Sequence, residues 1–101
     1  MPFKRGQFDQ VFLTLVLHHI DDPLTMLEQA AVILNTGGKL ILIDFLRHQD
    51  KKFADQMHDL WLGFEPEKIQ KWLKKIGLTL SVSSIWDSSY HIRVFYQIYT
   101  K

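Results

Sequence analysis

The order of apolar and polar positions divides the chain into short elements. From Phe8 to Leu17 the residues are almost continuously apolar, β-branched or aromatic. Such a run predicts a strand covered on both faces, as in parallel α/β sheets. Asp21-Asp22-Pro23 offers a helix N-cap followed by a proline in the first turn. Leu24, Leu27, Ala31 and Leu34 then recur at helical spacing, so one face of this helix should pack on a sheet. Asn35-Thr36-Gly37-Gly38 should end it, because a glycine accepts the left-handed conformation of a C-cap. Lys39 to Leu46 is a second strand, and strand, helix, strand is a βαβ unit.

A helix is expected over Gln49 to Leu62, with Phe53, Met57 and Leu60 or Trp61 on one side. Glu65-Pro66-Glu67 opens a further one. Acids favour its N-terminal dipole and Lys74-Lys75 the other end, Ile69, Trp72, Leu73 and Ile76 form its apolar stripe, and Gly77 closes it. From Leu78 to Tyr99 the period changes to two. Leu78, Leu80 and Val82 alternate with Thr79, Ser81 and Ser83. After the turn signal Asp87-Ser88-Ser89, Ile92, Val94, Tyr96 and Ile98 alternate with His91, Arg93 and Gln97. Strands so close in sequence pair as an antiparallel hairpin, since a parallel return needs a long crossover. The expected order is βαβααββ, an α/β domain with four strands.

A chain of 101 residues bounds this to one small domain, and its apolar share of 47% is ample for a packed core. The net charge of +1 gives no overall electrostatic footprint for nucleic acid or an anionic membrane. The pairs Lys51-Lys52 and Lys74-Lys75 fall in helical patterns and read as solvated faces. Without cysteine there are no disulfides or thiolate metal sites. The apolar runs are too short to span a bilayer and the N-terminus has no apolar signal core, so a soluble, cytoplasmic domain is expected.

Several motifs occur in a telling order: Pro2-Phe3, Gly6-Gln7-Phe8-Asp9 entering the first strand, His18-His19 at its exit, and Gly37-Gly38 before the second. With the closing hairpin, this resembles the C-terminal half of a class I S-adenosylmethionine-dependent methyltransferase, a Rossmann-like fold, beginning just before that fold's fourth strand. Thr36 stands where proline is usual in the family. Asp59-Leu60-Trp61-Leu62-Gly63-Phe64 resembles a segment of a bacterial branch akin to the methyltransferases of quinone biosynthesis and those fused to small regulators.

The resemblance implies S-adenosylmethionine as cofactor. The family holds it with a Gly-rich turn after the first strand and an acidic residue ending the second, because glycines let the backbone approach the ligand and a carboxylate accepts two hydroxyl bonds. None of the five glycines here makes a Gly-x-Gly. The chain alone is therefore not expected to bind the cofactor. Activity would require the missing N-terminal half, supplied in the gene or by another chain. If that half is supplied, the backbone at Thr14 and Leu15 lies where the cofactor would pass.

On the acceptor side, the resemblance places His18 and His19 beside the transferred methyl, where a near-neutral side chain can take a proton from a nucleophile. On a strand end at most one would face a pocket. The alternative for either is a capping or buried role. Asp44 is a carboxylate at the carboxyl end of an apolar strand, the edge where ligands of open α/β sheets gather. It would orient a substrate or base, or accept hydrogen bonds from nearby amides. His48, Asp50, His58 and Asp59 enrich the neighbourhood, but their spacing fits no metal-ligand signature. Trp61, Phe64 and Trp72 suit either an aromatic pocket or the core.

Three functions compete: part of a methyltransferase, a self-associating domain without catalysis, and a binder of another small ligand at the His18/Asp44 edge. The Phe8–Leu17 strand, central in the complete fold, would lack a neighbour here. Such edges are usually blunted by charge or proline, which this one lacks beyond Asp9. A homodimer through that edge is expected, or docking with the missing half.

Overall fold

A computed structural model describes residues 6–46, 63–87 and 93–101. Strand β1 (Phe8–Thr14) leads through a 3-10 turn (Leu17–His19) to helix α1 (Pro23–Ile33) and strand β2 (Leu34–Phe45). Helix α2 (Pro66–Ile76) and strands β3 (Thr79–Asp87) and β4 (Arg93–Thr100) complete the described chain. The expected helix over Gln49–Leu62 lies outside the described residues. The four strands form one sheet in the order β1-β2-β4-β3, with β1 parallel to β2 and the other pairs antiparallel. The α/β class and the closing hairpin are as the sequence predicts.

Register decides which side chains share a face. Val11 pairs with Leu40, Leu13 with Leu42, and Leu40 and Leu42 with Tyr99 and Gln97. Leu13, Leu40, Leu42, Phe95 and Tyr99 from this face join Leu27, Ala30 and Ala31 of α1 and Ile69 and Leu73 of α2 in one core. Both described helices therefore lie on one side of the sheet. The near-continuous apolarity of the first strand predicts cover on both sides. Instead, Phe12 on the opposite face is 62% exposed, because no described element packs there.

Three local differences from the sequence reading have physical causes. The first strand ends at Thr14 rather than Leu17, because Leu15 takes a left-handed conformation at φ 54°. In β4 the most buried face is not Val94, Tyr96 and Ile98 but Phe95, Gln97 and Tyr99. Gln97 tolerates this because its amide donates to the Pro66 carbonyl at 3.2 Å and accepts from the Tyr99 hydroxyl at 2.6 Å. Burial pushes the Tyr99 hydroxyl pKa up.

The third difference is the end of α1. No glycine caps it. Leu34 goes straight into extended backbone at φ −75°, ψ 138°. The last carbonyls are satisfied from afar: Val32 and Ile33 accept from the amides of Gly6 and Gln7, and Ala31 and Leu34 accept from the Lys101 ammonium at 2.6 and 2.8 Å. Gly37 and Gly38 instead lie within β2, where its register against β1 shifts. A Cβ at Gly38 would stand 2.8 Å from the Asn35 carbonyl oxygen and 3.1 Å from that of Asp9. Helix α2 ends as predicted, on Gly77 at φ 104°, with the Leu78 amide reaching back to the Leu73 carbonyl at 2.9 Å.

Candidate functional site

Parallel strands β1 and β2 end side by side, and their carboxyl ends carry most of the sequence-predicted residues. The last rung joins Thr14 to Ile43. Thr14 is exposed. One residue on, Leu15 donates its amide to the Ile43 carbonyl at 2.7 Å while its backbone turns left-handed. A leucine avoids this region unless its surroundings impose it. The chain then closes a 3-10 turn, with the amides of His19 and Ile20 bonded to the carbonyls of Val16 and Leu17.

Asp44 is fully buried beneath that turn. One carboxylate oxygen accepts the Leu17 amide at 2.9 Å, and the other accepts the amide of Phe45 at 2.7 Å. The Leu17 amide opens the 3-10 turn, so the carboxylate fixes where the turn begins. Asp44 thereby governs the placement of His18 and His19 through the backbone. Those histidines sit on the turn and not on the strand end, since Leu15 has already ended the strand; His19 is exposed.

The structure brings Thr14, Leu15, Asp44 and the backbone of His18 and His19 to one edge. The other candidates are elsewhere. Phe64 is buried in the core and Trp72 is half-buried at its margin, while His48, Asp50, His58, Asp59 and Trp61 lie outside the described residues. Among the described residues no three His, Asp or Glu side chains gather as metal ligands would. None of the described helices is long and apolar enough to cross a membrane. Two contributors escaped the sequence reading: the positive φ of Leu15 and the Leu17 amide as partner of Asp44. Neither leaves a local signal, since leucine is a poor residue for that conformation and the bond joins positions far apart in the chain.

The paired glycines are engaged in the fold. The Gly37 amide donates to the Lys101 carbonyl at 2.9 Å, and Gly38 packs against backbone. They sit at the opposite end of β2 from Asp44, and are not a phosphate- or nucleotide-type turn.

Residues 1–42 match the sequence family described as a methyltransferase domain. Over 54 residues the chain is 39% identical to a tRNA U34 carboxymethyltransferase of Nautilia profundicola, a match covering 54% of this chain and 18% of that protein. Over 85 residues it is 31% identical to the enzyme of the same name from Desulforapulum autotrophicum, covering 76% of this chain and 26% of that one. The chain thus spans about a quarter or less of the length of these curated relatives. Its fold is similar to the solved structure of an S-adenosylmethionine-dependent methyltransferase from Methanosarcina mazei, with a TM-score of 0.79 at 15% identity, covering 100% of this chain and 62% of that one.

Sequence and fold together support a methyltransferase-like α/β domain of the class I type. S-adenosylmethionine is the cofactor to which that class points.

Proposed function

We propose that the chain forms the C-terminal, acceptor-side portion of an S-adenosylmethionine-dependent methyltransferase, and that the cofactor's glycine turn and ribose carboxylate come from polypeptide outside these 101 residues. The observation that carries the reading is the Asp44-anchored turn at the carboxyl end of two parallel strands, in a fold of methyltransferase type. The glycine pair inside the chain is engaged in the fold; in this reading it does not serve the cofactor, and the isolated chain is expected to be inactive.

Transfer of a methyl group asks chiefly for alignment of acceptor and donor. In this reading Asp44 is a positioning residue. It holds the Leu17 amide and so sets the turn that carries His18 and His19, one of which takes the acceptor's proton. The exposed strand-end backbone at Thr14 and Leu15 borders the cofactor. The curated relatives named above are tRNA-modifying by name, and they favour a nucleic-acid acceptor, which the resemblance of Asp59–Phe64 to a quinone-biosynthesis branch leaves open.

The test is a fusion. The segment of a class I methyltransferase that bears the glycine turn is joined before Met1, and S-adenosylmethionine binding is measured by calorimetry. The expected result is binding by the fusion, retained in His18→Ala and His19→Ala variants, one of which loses turnover. A folded fusion without cofactor binding would overturn the reading.

A second reading rests on the position of β1 at one end of the sheet, with Phe12 62% and Leu15 40% exposed. A homodimer through the Phe8–Leu17 edge would cover the outer side of β1 without catalysis. A monomeric mass by light scattering at tens of micromolar excludes it.

A further inference from the structure

Helix α2 concentrates charge that the chain as a whole lacks. Pro66–Ile76 carries four lysines against one glutamate, in a protein of net charge +1. At 3.6 residues per turn, Lys68, Lys71 and Lys75 share an arc of about 60°, with Trp72 bordering it on the core side. All three lysines are exposed and Trp72 is half-buried. The Lys68 ammonium stands 5.3 Å from the centre of the Trp72 ring. Lys74, Glu65 and Glu67 complete this open face of the helix, the two acids toward its N-terminal end.

The fold explains only part of this pattern. Lys74 and Lys75 complement the negative end of the helix. Lys68 lies in the first turn, where the dipole opposes a cation. Lys68 and Lys71 are like charges three apart, and Lys71 and Lys75 four apart, arrangements that weaken a helix. Ile69 and Leu73 already secure the packing. Glu67, four residues before Lys71, offsets part of that repulsion, so the stripe adds little to the helix and nothing to the core.

We infer that this stripe is a docking surface for the phosphodiester backbone of a single-stranded nucleic acid, with Trp72 offering to a base the ring face over which Lys68 stands in the free chain. The steps from Lys68 to Lys71 to Lys75 are about 4.5 and 6 Å along the axis, so a strand running beside the helix meets one ammonium after another. A cationic groove with an aromatic platform is the usual construction of single-strand sites. The helix cannot lie in a bilayer interface, because its apolar residues Ile69 and Leu73 are buried in the core. The low net charge argues against nucleic acid only when charge is averaged over the chain. The inference goes beyond the methyltransferase reading and stands whether or not the chain transfers a group.

Fluorescence anisotropy with a labelled oligouridylate of about 12 nucleotides tests it. The purified chain should bind, with log affinity falling against log salt at a slope of about −2, as neutralising three phosphates requires. Lys68→Gln/Lys71→Gln/Lys75→Gln should lose about tenfold or more, with a melting temperature little changed. Trp72→Leu should lose about fivefold or more. Lys39→Gln, on the sheet, should lose nothing. The single lysine variants, each losing part of the affinity, keep the test valid if the triple variant does not fold. Absence of binding at low salt, full affinity in the folded triple variant, equally tight binding of oligoglutamate, or capture by phosphatidylserine vesicles that the triple variant abolishes would each overturn the inference.

Discussion

Helices α1 and α2 are each 11 residues long, each opens on a proline, and both pack on the same face of the sheet. There the likeness ends. α1 contains one charged residue, Glu28, and its ends are held by partners on both sides in sequence: Asp22 caps the start, and Gly6, Gln7 and Lys101 satisfy the last carbonyls. α2 carries five charged residues and closes itself on Gly77. One helix is shaped by its surroundings, and the other by its own sequence. The contrast separates residues that the fold requires from residues that it merely accommodates, and only the second kind are free to serve a partner.

The largest expected effect tests what the helices share. Leu27→Ala and Leu73→Ala each remove a fully buried side chain from the common core. Each should cost about 2–5 kcal/mol in denaturant unfolding. A small loss for Leu73→Ala alone would mean that α2 is not a core element, and the comparison would fail.

Next comes the buried carboxylate. Asp44→Ala strands the Leu17 amide, which should cost about 1–3 kcal/mol and speed hydrogen exchange at Leu17 and along the 3-10 turn. Asn, which keeps an acceptor oxygen, should recover part of it. Equal exchange rates in Asp44→Ala and the parent would remove Asp44 from its positioning role.

The two C-termini sharpen the contrast. Lys101→Met should destabilise by about 1 kcal/mol and loosen the last turn of α1, although 67 residues separate Lys101 from Leu34. Gly77→Ala should cost about 1 kcal/mol through backbone strain alone, confined to the end of α2.

Those two ends also explain what the sequence could reveal. Gly77 is legible because a local rule places a glycine after a periodic stripe, and α2 obeys it to the residue. The end of α1 misleads, because the nearby glycines belong to an irregular stretch of β2 and the true partners are distant. The same holds at the edge: Asp44 stands out as a lone carboxylate on an apolar strand, but its bond to Leu17 spans 27 positions. Likewise Gln97 reads as a solvent-facing residue until Pro66 and Tyr99 are seen beside it. Period and capping signals located the strands, the hairpin and both described helices; long-range hydrogen bonds decided the details that matter for the site.

The smallest effect concerns the start of α1. Hydrogen bonds from the Thr25 hydroxyl and then its amide hold the Asp22 carboxyl below its usual range. A carboxyl with a lowered folded pKa contributes stability above its unfolded value and loses it as pH falls through the folded value. The melting-temperature gap between the parent and Asp22→Asn should therefore be present at about pH 6 and vanish toward about pH 2. A gap that persists in acid would assign the effect to something other than the charge.

The central claim is that this chain carries the acceptor edge of a methyltransferase-type site while the cofactor's holding groups lie elsewhere. Isothermal titration of S-adenosylmethionine into the purified 101-residue chain tests it most directly. Micromolar affinity corresponds to about 8 kcal/mol, which the strand-end backbone at Thr14 and Leu15 cannot supply without a glycine turn and a ribose carboxylate. The account predicts no saturable heat at micromolar cofactor. A saturable isotherm with micromolar affinity would contradict it.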